Sequence, residues 1–421
     1  MKLSLLSLTM ILVLCACNPQ PQEASQATTG AGNAAHEEAA AHAASDPQEP
    51  EDGSAADNPD AKPERGYTER ELSTFANLLD EDPQEARRRL QDEGAVLDSD
   101  HLIDYIELGR TVMVVRMIAA GMDLNTPASS GKRPLAEAVL QNDPYLLELM
   151  LEHGADPLLS DDPEQGTGRS LLHYATKVDN VQLVERLLEL GIEADIRDAH
   201  DQTPLDVAAT YGMDQTLAVL LEHGADPQRQ DRGGSVPILL AGGYGRTGAV
   251  RMLLAHGADI NFQHERGWTA LLLAIYYDHP ETARYLFDNG ADVTARLNTG
   301  YGAAGIATML GDPQMLELVL DSGAATDELI EQNGRNLIHL CAMNKLSGFI
   351  ERLAAAGVDP GLEDAEGKTP LMLARDAADE EAMRILSELT GVSVDELPPA
   401  DDDTLSESDE QDQAVAEPPA S

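Results

Sequence analysis

Residues 191–224 read GIEADIRDAHDQTPLDVAATYGMDQTLAVLLEHG. Thr203 is a good helix N-cap, and Pro204 suits the first helical position because the N–H that it lacks has no partner there. The apolar residues Leu217 and Leu221 follow at helical spacing. The glycine at each end suits the left-handed conformation with which many helices terminate. The segment therefore predicts two short helices between glycine turns.

The same pattern repeats along the chain with a nearly constant period. The glycine that opens each unit stands at Gly121, Gly154, Gly191, Gly224, Gly257, Gly290, Gly323 and Gly357. Successive glycines are 33 residues apart, except for one step of 37 to Gly191 and one of 34 to Gly357. The extra residues of the longest step fall in the loop-like stretch 160–166. A fixed period of this length indicates a stacked repeat architecture.

The period, the Thr-Pro turn and the paired helices resemble the ankyrin repeat over residues 99–391. The resemblance implies an all-α repeat solenoid, in which helix pairs are connected by β-hairpin loops. We expect about nine such units, preceded by a degenerate N-terminal capping repeat at residues 67–98.

Two departures from the repeat pattern have consequences. The family's motif histidine survives only as His173 and His339, which we expect to bond to their own turns. The seventh unit replaces the Thr-Pro start with the sequence Gly-Ala-Ala-Gly at residues 302–305. A glycine in a helix interior costs about 1 kcal/mol relative to alanine. We therefore expect the seventh unit to be locally weak.

The first residues have the pattern of a secretory signal. Lys2 precedes an apolar run that is shorter than the ~20 residues of a membrane span. The sequence Leu-Cys-Ala-Cys at residues 14–17 resembles the bacterial lipobox, which implies a lipoprotein signal peptide at residues 1–16 and lipidation of Cys17. An ordinary cleaved signal with a soluble periplasmic product is the alternative. If the lipobox resemblance holds, Asn18 favours the outer membrane, facing the periplasm, because it is not the Asp that retains enteric lipoproteins in the inner membrane.

Both ends of the chain have the composition of disordered segments. Residues 17–66 are rich in Pro, Gln, Ala and Ser and contain ten acids. Residues 392–421 include a run that has ten acids and no base. Such segments cannot bury enough apolar surface to offset the entropy lost on ordering. We expect an acidic tether after the lipidated Cys17 and an acidic C-terminal tail.

The charge of the chain restricts its partners. Lys and Arg number 28 against 75 Asp and Glu, which gives a formal net charge of −47. Phosphate backbones repel such a chain, so we expect no nucleic-acid binding, and membrane contact through the lipid anchor alone. The charge favours a basic protein as partner, although solubility alone is an equally good interpretation. We expect a monomer.

Sequence motifs that resemble catalytic or cofactor sites coincide with turns and helices of the repeats, and their positions do not suit those functions. Residues 243–248 and 300–305 match a Gly-x-Gly-x-x-Gly fingerprint, but neither follows a strand of a βα unit. Cys341 occupies a small-residue position of a helix, where a buried inert thiol is expected. We find no metal-ligand spacing on a predicted helix. The sequence therefore predicts no enzyme, no cofactor and no metal site.

Aromatic residues are concentrated in units four to seven, at positions that the resemblance places on the concave groove. Tyr and Trp dominate binding hot spots because they bury a large area at low entropic cost. The candidate partner-binding residues are Tyr211, Tyr244, Arg246, Arg266, Trp268, Tyr276, Tyr277 and Tyr301. The alternative is that the tyrosines pack on neighbouring helices.

These observations predict a lipid-anchored, periplasm-facing protein-binding module that uses the concave groove. Two narrower roles are compatible with them. One is an immunity or inhibitor protein that masks a basic secreted toxin or enzyme. The other is an envelope scaffold whose tether spans part of the periplasm.

Overall fold

A computed structural model describes residues 65–164, 166–330 and 333–398. These residues form two compact bodies, residues 65–199 and residues 200–398, which we call the N-terminal body and the C-terminal body. The predicted signal peptide, the lipidation site Cys17 and most of both predicted tails lie outside the described residues. No helix within the described ranges is both long and apolar enough to cross a membrane.

The N-terminal body consists of short helices in antiparallel pairs. Its helices are α1 (Glu69–Leu79), α2 (Pro83–Asp92), α3 (Ser99–Glu107), α4 (Thr111–Ala119), α5 (Pro134–Leu140), α6 (Pro144–Glu152), α7 (Leu171–Lys177) and α8 (Val181–Glu189). We number the repeats from α3–α4, which form repeat 1. Arg65, at the end of the predicted tether, lies against this body: its backbone N–H donates to the carbonyl of Asn142 at 3.0 Å.

The C-terminal body contains six further helix pairs, repeats 4 to 9. Its helices are α9 (Pro204–Tyr211), α10 (Asp214–Glu222), α11 (Pro237–Gly243), α12 (Thr247–Ala255), α13 (Ala270–Tyr276), α14 (Pro280–Asp288), α15 (Ala303–Leu310), α16 (Pro313–Asp321), α17 (Leu337–Met343), α18 (Ile350–Ala355), α19 (Pro370–Asp376) and α20 (Glu380–Thr390). A 3₁₀ turn, Ser347–Phe349, precedes α18. The predicted helix starts are confirmed where a cap is present: the hydroxyl of Thr203 accepts the N–H of Asp206.

The core of the C-terminal body lies between the first helices of successive repeats. Each first helix packs on the next, from α9 through to α19. These helices are short and rich in Ala and Leu, and in α13 all residues from Ala270 to Ile275 are buried. Small side chains let neighbouring helices approach closely. Gly242 shows this most clearly, because a Cβ there would lie 2.7 Å from the carbonyl oxygen of Ala270.

The loops between repeats differ from the expected β-hairpins. Each is a finger, by which we mean the tight turn that precedes a first helix. The fingers are closed by backbone hydrogen bonds such as His264 N–H to Trp268 O, at 2.8 Å. Within the described residues, β-pairing is limited to two isolated bridges, Arg296 with Gly302 and Leu329 with Asn336. The turns are too short to form a ladder.

Candidate functional site

All six first helices of the C-terminal body end in the same way, and four consecutive ones, α9, α11, α13 and α15, carry a large side chain at that end. At the end of each of these four helices one residue has a positive φ: 72° at Gly212, 67° at Gly245, 57° at Asp278 and 71° at Gly311. The residue just before it is therefore held in an equivalent position in every repeat. We call these four residues the tyrosine row: Tyr211, Tyr244, Tyr277 and Leu310.

The tyrosine row is accessible along its whole length. Tyr277 is 41% exposed and Leu310 is 43% exposed, whereas Tyr211 and Tyr244 are half-buried. Neighbouring packed helices are about 8–10 Å apart, so the row spans about 25–30 Å. Sequence reasoning missed Leu310 because only aromatic residues were considered. The signal was present, since Leu310 stands 33 residues after Tyr277.

Two of the predicted partner-binding residues were placed wrongly. Trp268 is 1% exposed and Tyr301 is completely buried. Both occupy the last finger position before a first helix, which was expected to face a groove. In the folded chain both side chains are buried in the core. Trp268 and Tyr301 therefore stabilise the repeats and offer no surface to a partner.

Trp268 nevertheless supports the row from beneath. Its ring meets that of Tyr276 edge-on, with centroids 5.3 Å apart. Tyr276, half-buried, in turn meets the ring of Tyr277 at 90°, with centroids 5.1 Å apart. Such edge-to-face pairs are favourable beyond their buried area. The chain of three rings fixes the exposed Tyr277 on a rigid base.

The two candidate arginines have different environments. Arg246 is half-buried, and its Nε donates to the carbonyl of Thr210 at 3.1 Å. Burial lowers the pKa of its guanidinium. This side chain therefore connects repeat 5 to repeat 4. Arg266 lies at the tip of a finger and is exposed.

His279 makes the equivalent connection one repeat later. Its ring covers Gly245, and Nε2 lies 3.0 Å from the carbonyl oxygen of Gly243. Since a carbonyl only accepts, Nε2 carries the proton. Burial lowers the pKa of His279, which keeps the ring neutral. Together, Arg246 and His279 fix the helix ends that hold Tyr211 and Tyr244.

Acidic groups flank the exposed end of the row. Asp278 follows Tyr277 directly, and its carboxyl group lies beside that of Asp312. The pKa of Asp278 is raised, first by burial and then by repulsion from Asp312. Two adjoining carboxyl groups of this kind interact favourably with an approaching cation. The surface therefore combines apolar side chains with negative charge.

The remaining reactive groups have structural explanations. Cys341 is buried, and burial raises the pKa of its thiol to about 12. His339 is buried too, and its Nε2 lies 3.2 Å from the carbonyl of Lys368. Among the described residues, no group of three or more His, Cys, Asp or Glu side chains is arranged to hold a metal ion.

Comparisons with known proteins identify the architecture. A family model described as ankyrin repeats, in three copies, matches residues 158–231, 226–296 and 304–396, which together exceed half of the chain. Protein phosphatase 1 regulatory subunit 27 of Mus musculus is 37% identical over 126 residues, which are 30% of this chain and 79% of that protein.

Two other relatives match over a small part of their length. The B-cell lymphoma 3 protein homolog of Mus musculus is 30% identical over 104 residues, 24% of this chain and 22% of that protein. The E3 ubiquitin-protein ligase KEG of Arabidopsis thaliana is 31% identical over 101 residues, 23% of this chain and 6% of that protein. The crystal structure of the ankyrin repeat domain of Bcl-3 is 29% identical, with a TM-score of 0.47, and the match covers 52% of this chain and 99% of that one.

The family match, the regular helix pairs and the finger turns agree with one another. The predicted all-α repeat fold is confirmed. This chain belongs to the ankyrin-repeat family.

Proposed function

We propose that this chain is a protein-binding module whose tyrosine row contacts a protein partner. The observation that carries the proposal is the regular spacing of four apolar side chains, two of them more than 40% exposed, on a chain with a net charge of −47. The ankyrin-repeat relatives support a binding role, because their names include a regulatory subunit. Aromatic anchors on a rigid base lose little entropy when a partner covers them.

The chemistry beside the row favours a basic partner. Asp278 and Asp312 lie next to the most exposed tyrosine, and the folded repeats contribute a net charge near −30. Complementary charge increases the rate of association and is screened by salt. Binding through the row should therefore weaken as the salt concentration rises from ~50 to ~300 mM.

The double variant Tyr244→Ala with Tyr277→Ala tests the row. Loss of two aromatic anchors should weaken partner capture at least ~10-fold, which corresponds to about 1.4 kcal/mol. The readout is quantitative recovery of co-purifying proteins from envelope extract, compared with the wild-type chain. Tyr285→Ala is a matched control, since Tyr285 is half-buried on α14 and lies outside the row. Circular dichroism melting verifies that all variants fold. Equal recovery from the double variant and the wild type contradicts this assignment.

We further propose that Cys17 carries a lipid anchor and that the chain faces the periplasm of a bacterial envelope. The lipobox-like residues 14–17 support this part of the proposal. Labelled palmitate should be incorporated into the wild type and into Cys15→Ser, but not into Cys17→Ser. Incorporation into Cys17→Ser overturns the anchor. Protease sensitivity of the repeats in spheroplasts, and not in intact cells, tests the periplasmic location.

A further inference from the structure

The second helices of the C-terminal body carry a groove that none of the tyrosine-row residues lines. It has a volume of about 750 Å³ and lies over α16, between α14 and the 3₁₀ turn that precedes α18. The groove belongs entirely to repeats 6, 7 and 8. It is therefore distinct in its lining residues from the surface proposed above.

The groove exists because repeat 8 departs from the repeat pattern. Its second helix, α18, has 6 residues, whereas α14 and α16 have 9 each. The first turn of the helix is replaced by the 3₁₀ turn Ser347–Phe349. The second helices pack on each other in the pairs α10–α12, α12–α14, α14–α16 and α18–α20. The pair α16 and α18 is not among these closely packed pairs, and within the described residues Arg352 joins the two helices by ion pairs with Glu317 and Asp321.

The lining of the groove is apolar at its centre. Phe287 and Phe349 lie on its two sides, and Leu318 of α16 lies between them. All three side chains are half-buried. The sequence contains 4 phenylalanines, so half of them line this one groove. These three side chains form a small accessible apolar cluster of a size that one large apolar side chain would cover.

The rim of the groove is acidic. Asp288, Glu317 and Asp321 line it, with Arg284 as the one base among the lining residues. Arg352 of α18 lies 3.2 Å from Glu317 and 2.8 Å from Asp321. Even with Arg352 included, acids outnumber bases at the rim. A flanking cation on the occupant is therefore attracted both locally and by the net charge of the chain.

The composition of the chain argues against self-occupation by its terminal segments. Residues 399–421 contain eight acids and no base, and residues 18–64 contain ten acids and one base, Lys62. Neither segment contains Phe, Trp, Tyr, Ile or Met, and Leu405, their one leucine, stands among acids with no base nearby. A second copy of the chain carries the same negative charge. The groove therefore fits a different molecule.

We propose that the groove over α16 is a second docking site, for a segment of a partner protein in which one large apolar side chain lies between lysines or arginines. The apolar side chain occupies the space between Phe287 and Phe349. The basic residues on either side of it contact Asp288 and replace Arg352 as the partners of Glu317 and Asp321, whose ion pairs with Arg352 are exposed. The site does not depend on the tyrosine row.

A synthetic peptide with one phenylalanine between two pairs of lysines is the probe. Its binding to the full chain is measured by fluorescence anisotropy at low salt. Phe349→Ala and Leu318→Lys should each weaken binding at least ~10-fold, the first by removing an apolar wall and the second by placing a cation at the centre. Replacing the peptide's phenylalanine by serine, or its lysines by glutamates, should abolish binding.

The controls separate this proposal from the first one. Tyr277→Ala should bind the peptide as the wild type does, so the experiments can overturn either proposal without the other. Phe349 lies in a 3₁₀ turn and Leu318 is half-buried, and circular dichroism melting shows that the variants fold. The proposal is overturned by unchanged affinity in both groove variants, by equal binding of the glutamate peptide, or by no binding of the lysine peptide at millimolar concentration.

Discussion

The fingers of repeats 6 and 7 each bury an aromatic side chain at a position where repeat 8 has an arginine in a buried ion pair with the next repeat. The last finger position before the first helix is Trp268 in repeat 6, Tyr301 in repeat 7 and Arg335 in repeat 8. All three side chains are almost completely buried. The same position in the repeat is therefore occupied by an aromatic side chain in two repeats and by a charged one in a third.

The difference depends on the residue that stands 29 positions later, at the start of the next finger. For Arg335 that residue is Asp364, and the guanidinium lies 3.0 Å from its carboxylate. For Trp268 and Tyr301 the corresponding residues are Leu297 and Ile330, which are both buried. A buried arginine requires a buried acid, because an unpaired charge is costly in the interior. The two positions therefore form a matched pair.

Among the substitutions at these finger positions, Trp268→Ala should lower the free energy of unfolding the most. Removing the buried indole leaves a cavity and removes the ring on which Tyr276 rests, so the free energy of unfolding should fall by about 4 kcal/mol. Urea unfolding followed by circular dichroism measures the change. Arg266→Ala, a substitution at an exposed position of the same finger, should change it by less than ~0.5 kcal/mol. Equal stability of both variants contradicts the burial of Trp268.

Arg335→Ala tests the ionic side, with an expected loss of about 3 kcal/mol because Asp364 stays buried without its countercharge. The double variant Arg335→Trp with Asp364→Leu introduces the chemistry of repeat 6 into repeat 8. It should recover at least half of the lost stability in the same urea assay. A double variant less stable than Arg335→Ala would show that the two positions are not a transferable pair.

The sequence predicted the repeat architecture because each unit carries its own local signals. Thr203, Pro204 and the glycine turns recur at a fixed period, and these signals act within one helix pair. Whether an aromatic side chain is exposed depends on how the neighbouring repeat packs against it, and the residues next to it in the sequence do not indicate this. Trp268 and Tyr277 are therefore indistinguishable as aromatic residues in the sequence, although one is buried and the other is exposed.

The start of α15 in repeat 7, which we expected to be weak, is stabilised by a residue from a distant part of the sequence. The N-cap Gly302 of α15 has no side chain to bond the first turn. The carboxylate of Glu328, which precedes the finger of repeat 8, accepts the N–H groups of Gly302 at 3.0 Å and Gly305 at 2.7 Å. The Thr203 cap of repeat 4 performs the same role locally. Sequence reasoning missed Glu328 because the contact spans 26 residues.

Glu328 should make the stability of the C-terminal body depend on pH. Burial raises its pKa from the ordinary 4.5 to about 7, despite three backbone N–H donors and the nearby charge of Arg296. The folded state therefore binds the proton more tightly than the unfolded state. The free energy of unfolding should rise as the pH falls from about 7 to about 4.5, by about 2–3 kcal/mol from this group.

The comparison with Glu328→Gln isolates this effect. The amide keeps an acceptor oxygen for the N–H groups and does not titrate, so the difference in stability between the two proteins should change across this pH window. Other carboxyl groups are common to both proteins and cancel in the difference. A constant difference between pH 4.5 and 7 contradicts the prediction. Urea unfolding at fixed ionic strength is the measurement.

Gly305→Ala should give the smallest effect, and its sign is informative. In an ordinary helix the change to alanine stabilises by about 1 kcal/mol. At Gly305 the added Cβ would be closer to the Glu328 carboxylate than two atoms can approach, and 3.0 Å from Cδ1 of Tyr301. We expect a net loss of about 1–2 kcal/mol, because a buried side chain must move. Gly348→Ala is the control, since a Cβ there meets no atom within 4 Å and should be neutral or slightly stabilising. If Gly305→Ala stabilises the protein, then Glu328 does not hold the start of α15, and the glycines of repeat 7 are a simple defect in the pattern.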